Sequence, residues 1–270
     1  MAVEVSNPGM NYLERGSGKP ILFVHGWPTN ANIWKYQLDN GLTDEFHVLA
    51  IDLPGFGETP PRGEASMKAF ATAVKDFIEA KDLPPVFLIG WSMGAGVVMS
   101  YNQHFGGHRL SGIGIVDDCP KLFPASDWLA DVDTKFSREA VDRWRTTWED
   151  GDRRSVIAEL TTMEFKHPER HEADIAWAIE ESLNSHPEFA MAALLEVMEL
   201  DFRESLKKTE VPALLLYGEH SNMTTAANRS FMKDTIPDSK LIVFHESGHN
   251  PMIEEWQKFN DAVGAFVRDL

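Results

Sequence analysis

The sequence predicts an α/β fold built on a parallel sheet, and three observations carry that prediction. Apolar runs of strand length alternate with helix-period segments in the first part of the chain. The strands stop at about residue 121 and resume after 206. One strand ends in a serine set between glycines, Gly90-Trp91-Ser92-Met93-Gly94, and leads into a helix. Alternation of this kind lays helices on the faces of parallel strands.

Taken in order, residues 21–24, 47–51, 86–89 and 112–116 are apolar runs too short for helices. Between them, 66–80 carries Met67, Phe70, Val74, Phe77 and Ile78 at helical spacing. Residues 121–206 are helical in pattern, charged and rich in tryptophan (Trp128, Trp144, Trp148, Trp177), and read as an inserted helical cap. The core domain is then 1–120 together with 207–270. Strand-like runs return at 213–217 and 241–244, and a helix bearing Ile253, Trp256, Phe259, Val263 and Phe266 closes the chain.

A chain of 270 residues, 43% apolar, is long enough for a full core. Its net charge of -17, with no lysine or arginine run, argues against nucleic acid or an anionic membrane as a partner. Cys119 is the only cysteine, so no intrachain disulfide forms. Residues 1–10 show neither the basic flank nor the apolar stretch of a leader, and no run approaches a membrane span, so a cytoplasmic protein is expected. A monomer or homodimer is expected.

The chemistry centres on Ser92. A strand that turns sharply through G-x-S-x-G into a helix pushes the hydroxyl outward and sets the next amide, that of Met93, at a helix N-terminus facing developing negative charge. A serine nucleophile needs a base, and His249 in Glu246-Ser247-Gly248-His249-Asn250-Pro251 follows the last predicted strand, at the edge of the sheet where Ser92 belongs. After the first long buried strand, Val24-His25-Gly26-Trp27-Pro28 offers the Trp27 amide as a second oxyanion donor, with His25 as a loop anchor. Asp52-Leu53-Pro54-Gly55-Phe56-Gly57 reads as scaffold, because its glycines do not open a helix. His220, His245 and His249 match no metal-ligand spacing.

Together, His25-Gly26-Trp27-Pro28, the Asp52–Gly57 segment, Gly90–Gly94 and Ser247–Pro251 resemble the α/β-hydrolase superfamily in order and span. The resemblance implies a mostly parallel eight-stranded sheet flanked by helices, a cap after the sixth strand, and a Ser-His-acid triad that needs no cofactor. Relatives that use an aspartate nucleophile, the haloalkane dehalogenases and epoxide hydrolases, are disfavoured by Ser92.

The acid is where the pattern breaks. The family's usual acid position reads Ser221 in Tyr217-Gly218-Glu219-His220-Ser221, and a serine cannot hold an imidazolium electrostatically. Asp117, at the end of the strand neighbouring that of Ser92, is the expected substitute, with Asp118 and Glu219 as alternatives and a Ser-His dyad as a further one. The expected function is hydrolysis of a carboxylic ester or lactone of small to medium, partly apolar size through an acyl-serine.

Other functions compete with this one. A ligand receptor or partner-binding protein of the same fold is an alternative kept open by Ser221; a perhydrolase or haloperoxidase is another. An acyl-carrier methyl ester carboxylesterase is disfavoured because residues 121–204 hold 10 Lys/Arg against 20 Asp/Glu, a poor landing surface for an acidic carrier protein. The cap tryptophans and Met163, Met191 and Met198 are candidates for an acyl pocket, though core packing explains them as well.

Overall fold

The computed structural model describes residues 9–123, 128 and 137–270. Residues 1–8, most of the segment read for a leader, and 124–127 and 129–136 of the expected cap lie outside the described residues. Seven strands form one sheet: β1 (Tyr12–Arg15), β2 (Pro20–Val24), β3 (His47–Ile51), β4 (Val86–Trp91), β5 (Leu110–Val116), β6 (Ala213–Gly218) and β7 (Ser239–Phe244). Their order is β1-β3-β2-β4-β5-β6-β7, with β1 antiparallel and every other pair parallel.

The sheet thus has seven strands among the described residues where eight were expected, and the long insertion follows β5. Edge strand β1 was not foreseen. Its four residues, Tyr-Leu-Glu-Arg, are half-buried or exposed and give too short an apolar signal to stand out from a loop.

Both faces of the sheet are covered, which is why its strands read as continuous apolar runs. On one face Leu22, Val24, Leu49, Ile51 and Leu88 pack against α2 (Met67–Ala80) and α3 (Met93–Phe105). On the other, Ile21, Phe23, Val48, Ala50, Phe87 and Ile89 meet Trp34 and the terminal helices. Alternate residues of one strand therefore serve opposite cores, each large side chain stabilising the fold by about 1.5–3 kcal/mol. The α2 prediction holds to its first turn: Ser66 Oγ accepts from the Ala69 amide as N-cap, and all five spaced apolar residues are buried.

Between β5 and β6 the described chain contributes helices and no strand of the sheet: α4 (Arg138–Glu149), α5 (Arg153–Met163), α6 (Glu172–Ser182), α7 (Pro187–Glu199) and α8 (Arg203–Leu206). After α9 (Ala226–Thr235) and β7, the closing helix is two helices, α10 (Pro251–Glu254) and α11 (Trp256–Asp269), counting the short α1 (Lys35–Asp39) as the first. The break at Glu255 has a local reason. Its carboxylate turns back to accept from the Glu246 amide and the Ser247 hydroxyl, while Glu254 accepts from the Gly248 and Lys166 amides. Two consecutive side chains on a continuous helix could not both face that loop.

Candidate active site

The turn that carries Ser92 is built by close backbone approach. A Cβ on Gly90 would lie 2.1 Å from the Gly94 carbonyl oxygen, and one on Gly94 would lie 2.4 Å from that of Val24. Only glycine fits at either place. Ser92 itself sits at φ +53°, outside the ordinary regions for a side chain with Cβ, a cost that a sharp strand-to-helix turn imposes. Met93 is the first residue of α3, so its amide has no partner inside the helix. The Gly94 contact also seats the His25–Trp27 loop directly on this turn.

That loop is fixed by its histidine. His25 Nδ1 lies 2.8 Å from the Gly26 carbonyl, and its Nε2 accepts from the Leu53 amide at 3.1 Å. Both ring nitrogens are thereby used, and burial pushes its pKa down, so His25 is a neutral structural anchor. Asp52 likewise accepts from the amides of Ala31 and Glu58 and from Asn11 Nδ2, the work of a scaffold residue.

Asp117 and His249 meet in the interior. His249 Nδ1 is 3.1 Å from Asp117 Oδ2, with the two side chains 1% and 0% exposed. A carboxylate only accepts, so Nδ1 carries the proton and Nε2 is left as an acceptor. Among the described residues, that buried Nε2 has no hydrogen-bond partner. The sheet explains how Asp117 comes to this place. Trp91 is in register with Val116, the Ser92 amide donates to the Val116 carbonyl, and Ser92 and Asp117 therefore leave adjacent strands side by side. His249 is held against the same corner: Trp91 Nε1 donates to its carbonyl at 2.9 Å, and the two rings are 5.2 Å apart.

The other carboxylates go elsewhere. Asp118 Oδ1 accepts from the Cys119 amide, and burial pushes its pKa up to about 8. Glu219 is at the surface, paired with His245 Nδ1 at 2.8 Å. For His249, burial pulls the pKa down, but the Asp117 hydrogen bond and the charges of Asp117, Glu164 and Asp118 outweigh it and leave the ring above its ordinary value.

Ser221 has a structural task in this arrangement. Its Oγ accepts from the amides of Met223 and Thr224, closing a turn that aims the Thr224 hydroxyl at Asp117. Thr224 Oγ1 donates to Asp117 Oδ1 at 2.5 Å, so both carboxylate oxygens are engaged and the side chain cannot swing. Sequence reasoning missed Thr224. Nothing in the spacing of one threonine in a polar loop separates it from a turn residue.

Trp27, Leu122, Leu160, Leu194, Val197, Met198 and Met223 surround Ser92 in a cavity of about 30 Å³, with Glu164 in its wall. Of the cap residues offered for an acyl pocket, only Met198 lines this cavity. Trp148 and Trp128 spend their Nε1 groups on the carbonyls of Pro187 and Lys121, and Trp177 lies under Lys35 Nζ at 3.7 Å. A much larger open depression of about 620 Å³ runs along α2 past Arg62 and Asp76, and none of these groups lines it.

The comparisons agree with this architecture. A chain from Vibrio cholerae serotype O1, a pimeloyl-[acyl-carrier protein] methyl ester esterase, is 26% identical over 247 residues, 90% of this chain and 92% of that one. A solved thermophilic esterase from Thermogutta terrifontis superposes with a TM-score of 0.83 at 26% identity, covering 96% of this chain and 93% of its own. An esterase from Exiguobacterium antarcticum gives 0.87 at 24% identity over 96% and 95%, a likeness of fold. The family model described as alpha/beta hydrolase fold matches residues 19–255, and the chain, with its parallel sheet and its glycine-flanked serine turn, belongs to that family.

Proposed function

We propose that this protein is a serine hydrolase of carboxylic esters or lactones, with Ser92 as nucleophile, His249 as base and Asp117 as the acid that orients it. The observation that carries the reading is the buried His249 ring, tied through Nδ1 to Asp117, packed against Trp91 of the Ser92 turn, and with an unpartnered Nε2. Nε2 takes the hydroxyl proton as Ser92 Oγ attacks the carbonyl carbon, and the resulting oxyanion is met by the amides of Trp27 and Met93. The bond to the alcohol oxygen breaks and His249 returns the proton to it. Water then attacks the acyl-serine, again with His249 as base, releasing the acid and restoring Ser92.

Residues 121–206 act as a lid in this reading. A cavity of about 30 Å³ has room for roughly one water molecule, so substrate entry requires the helices that bear Leu160, Leu194 and Val197 to move. The apolar lining favours an acyl part of small to medium size.

A small molecule suits the surface better than a carrier protein. Of the basic side chains that could gather into a patch, Arg143 pairs with Glu159, Arg145 with Asp142 and Arg154 with Glu180, while Arg153 donates to the carbonyls of Leu183 and Ser185. No helix among the described residues is long and apolar enough to cross a membrane.

The test is hydrolysis of p-nitrophenyl butyrate, with covalent labelling by a fluorophosphonate. Wild type should turn the ester over and label at Ser92. Ser92→Ala should lose both while keeping its circular dichroism and melting behaviour. Undiminished turnover in Ser92→Ala, or a folded wild type that neither hydrolyses nor labels, sinks the proposal; the second result, with tight ligand binding, points to a receptor.

A further inference from the structure

Glu164 is a half-buried residue whose carboxyl the reaction above does not use. It follows α5, and its backbone carbonyl accepts from the His249 amide at 2.7 Å, while the Lys166 amide two residues on is held by Glu254 at 2.8 Å. The segment is therefore registered against the loop that carries the base. Among the described residues lining the Ser92 cavity, Glu164 is the only ionisable one. Trp27, the other lining residue with a strong polar group besides Ser92, has already given its Nε1 proton to the Ala190 carbonyl.

A second observation points to a ligand. Glu164 also lines an adjoining small cavity with Asn250, a residue 1% exposed, and Asn250 Oδ1 has no hydrogen-bond partner among the described residues. Asn250 Nδ2 reaches the Glu164 carboxylate only at 3.5 Å, the outer limit of a hydrogen bond. Two acceptors thus stand next to each other, Glu164 in the walls of both cavities and Asn250 in that of the adjoining one, and the buried Asn250 oxygen is without a partner. Leaving such groups unpaired is costly, and a donor that entered would recover that cost.

We propose that Glu164 and Asn250 form a polar subsite that reads a hydroxyl group on the substrate, making hydroxylated esters or lactones the preferred class over plain alkyl ones. The inference rests on the serine-hydrolase reading. A hydroxyl is favoured over an ammonium because it can donate to the carboxylate and accept from the protonated carboxyl, whereas an ammonium only donates, and burial pushes Glu164 up to about 7, where both states are present. A cation would in addition have to shed its hydration shell to enter a mainly apolar cavity. Sites built to bond a substrate hydroxyl discriminate strongly against analogues that lack it.

The experiment compares kcat/KM by pH-stat for ethyl butyrate, ethyl 2-hydroxybutyrate, ethyl 3-hydroxybutyrate, 2-hydroxyethyl butyrate and ethyl 3-aminobutyrate, in wild type, Glu164→Leu and Glu164→Gln. Fluorophosphonate labelling of Ser92 in each variant reports that the site is assembled. At least one hydroxylated ester should exceed ethyl butyrate by about 10- to 100-fold in wild type, the worth of a hydrogen bond to a charged group. In Glu164→Leu that ratio should fall to near unity, and Glu164→Gln, which can still accept, should keep part of it.

A ratio unchanged in Glu164→Leu, no hydroxyl preference in wild type, or a preference for the amino ester alone overturns the subsite while leaving the hydrolase reading standing. A Glu164→Leu variant that shifts only the pH profile also overturns it, since that would make the carboxyl a tuner of His249. Absence of both labelling and turnover in wild type takes down the two readings together.

Discussion

Replacing Asp117 by asparagine should cost three to four decades in kcat/KM, and the size follows from the geometry. The His249–Asp117 pair is 3.1 Å apart and buried from water. At an effective dielectric of about 20, a full charge on the ring at that separation is stabilised by about 5 kcal/mol, and each decade of rate is about 1.4 kcal/mol. At pH values where the resting ring is neutral, that charge appears only when His249 has taken the serine proton, so the loss falls on the transition state.

Asparagine is the right probe because position 117 has φ +47°, a conformation that Asn and Asp tolerate. Its amide oxygen can also still accept from Thr224. The assay is p-nitrophenyl butyrate hydrolysis across pH, beside Asp118→Asn and Glu219→Gln. Removing Asp117 withdraws the hydrogen bond and charge that raise the His249 pKa and leaves burial, which lowers it. The neutral base is then available at lower pH, so the acid limb of the residual activity should move down. Near-full activity in Asp117→Asn, with another substitution abolishing it, refutes the reasoning.

Two further outcomes are expected. Thr224→Val removes the donor to Asp117 Oδ1 and frees the carboxylate to turn; kcat should fall by about 10-fold with KM little changed, Thr224→Ser should restore most of it, and loss confined to KM would contradict the positioning role. Asp118→Asn should flatten the dependence of stability on pH. A buried carboxyl raised to about 8 keeps its proton when folded and releases it near pH 4 when unfolded, so its contribution to stability is lost as pH rises through 8. Urea midpoints at pH 6 and 8 should show wild type losing on the order of 2 kcal/mol more than the variant, and parallel profiles would show that Asp118 is not the titrating group.

Much of the architecture was legible because burial on both faces writes itself into composition. Strands β2, β4 and β6 are buried along their whole length, β3 and β5 along most of theirs, and α2 shows its buried stripe and its serine cap. The glycines around Ser92 were equally legible, since only a residue without Cβ allows α3 to start that close to β4 and to the Val24 carbonyl. Less legible was anything that depended on a half-buried edge, such as β1, or on side chains bending a helix, as Glu254 and Glu255 do at the end of the chain.

By itself, then, the order of residues determined a parallel sheet, a serine at a strand-to-helix turn and a histidine on a loop after the last strand, because these follow from local periodicity and local sterics. Tertiary structure alone decided which carboxylate meets the imidazole, that Ser221 serves by holding Thr224 against Asp117, and that Glu164 enters the wall around Ser92. Those contacts join residues up to 132 positions apart, and strand register and helix packing, which no local pattern encodes, set their distances.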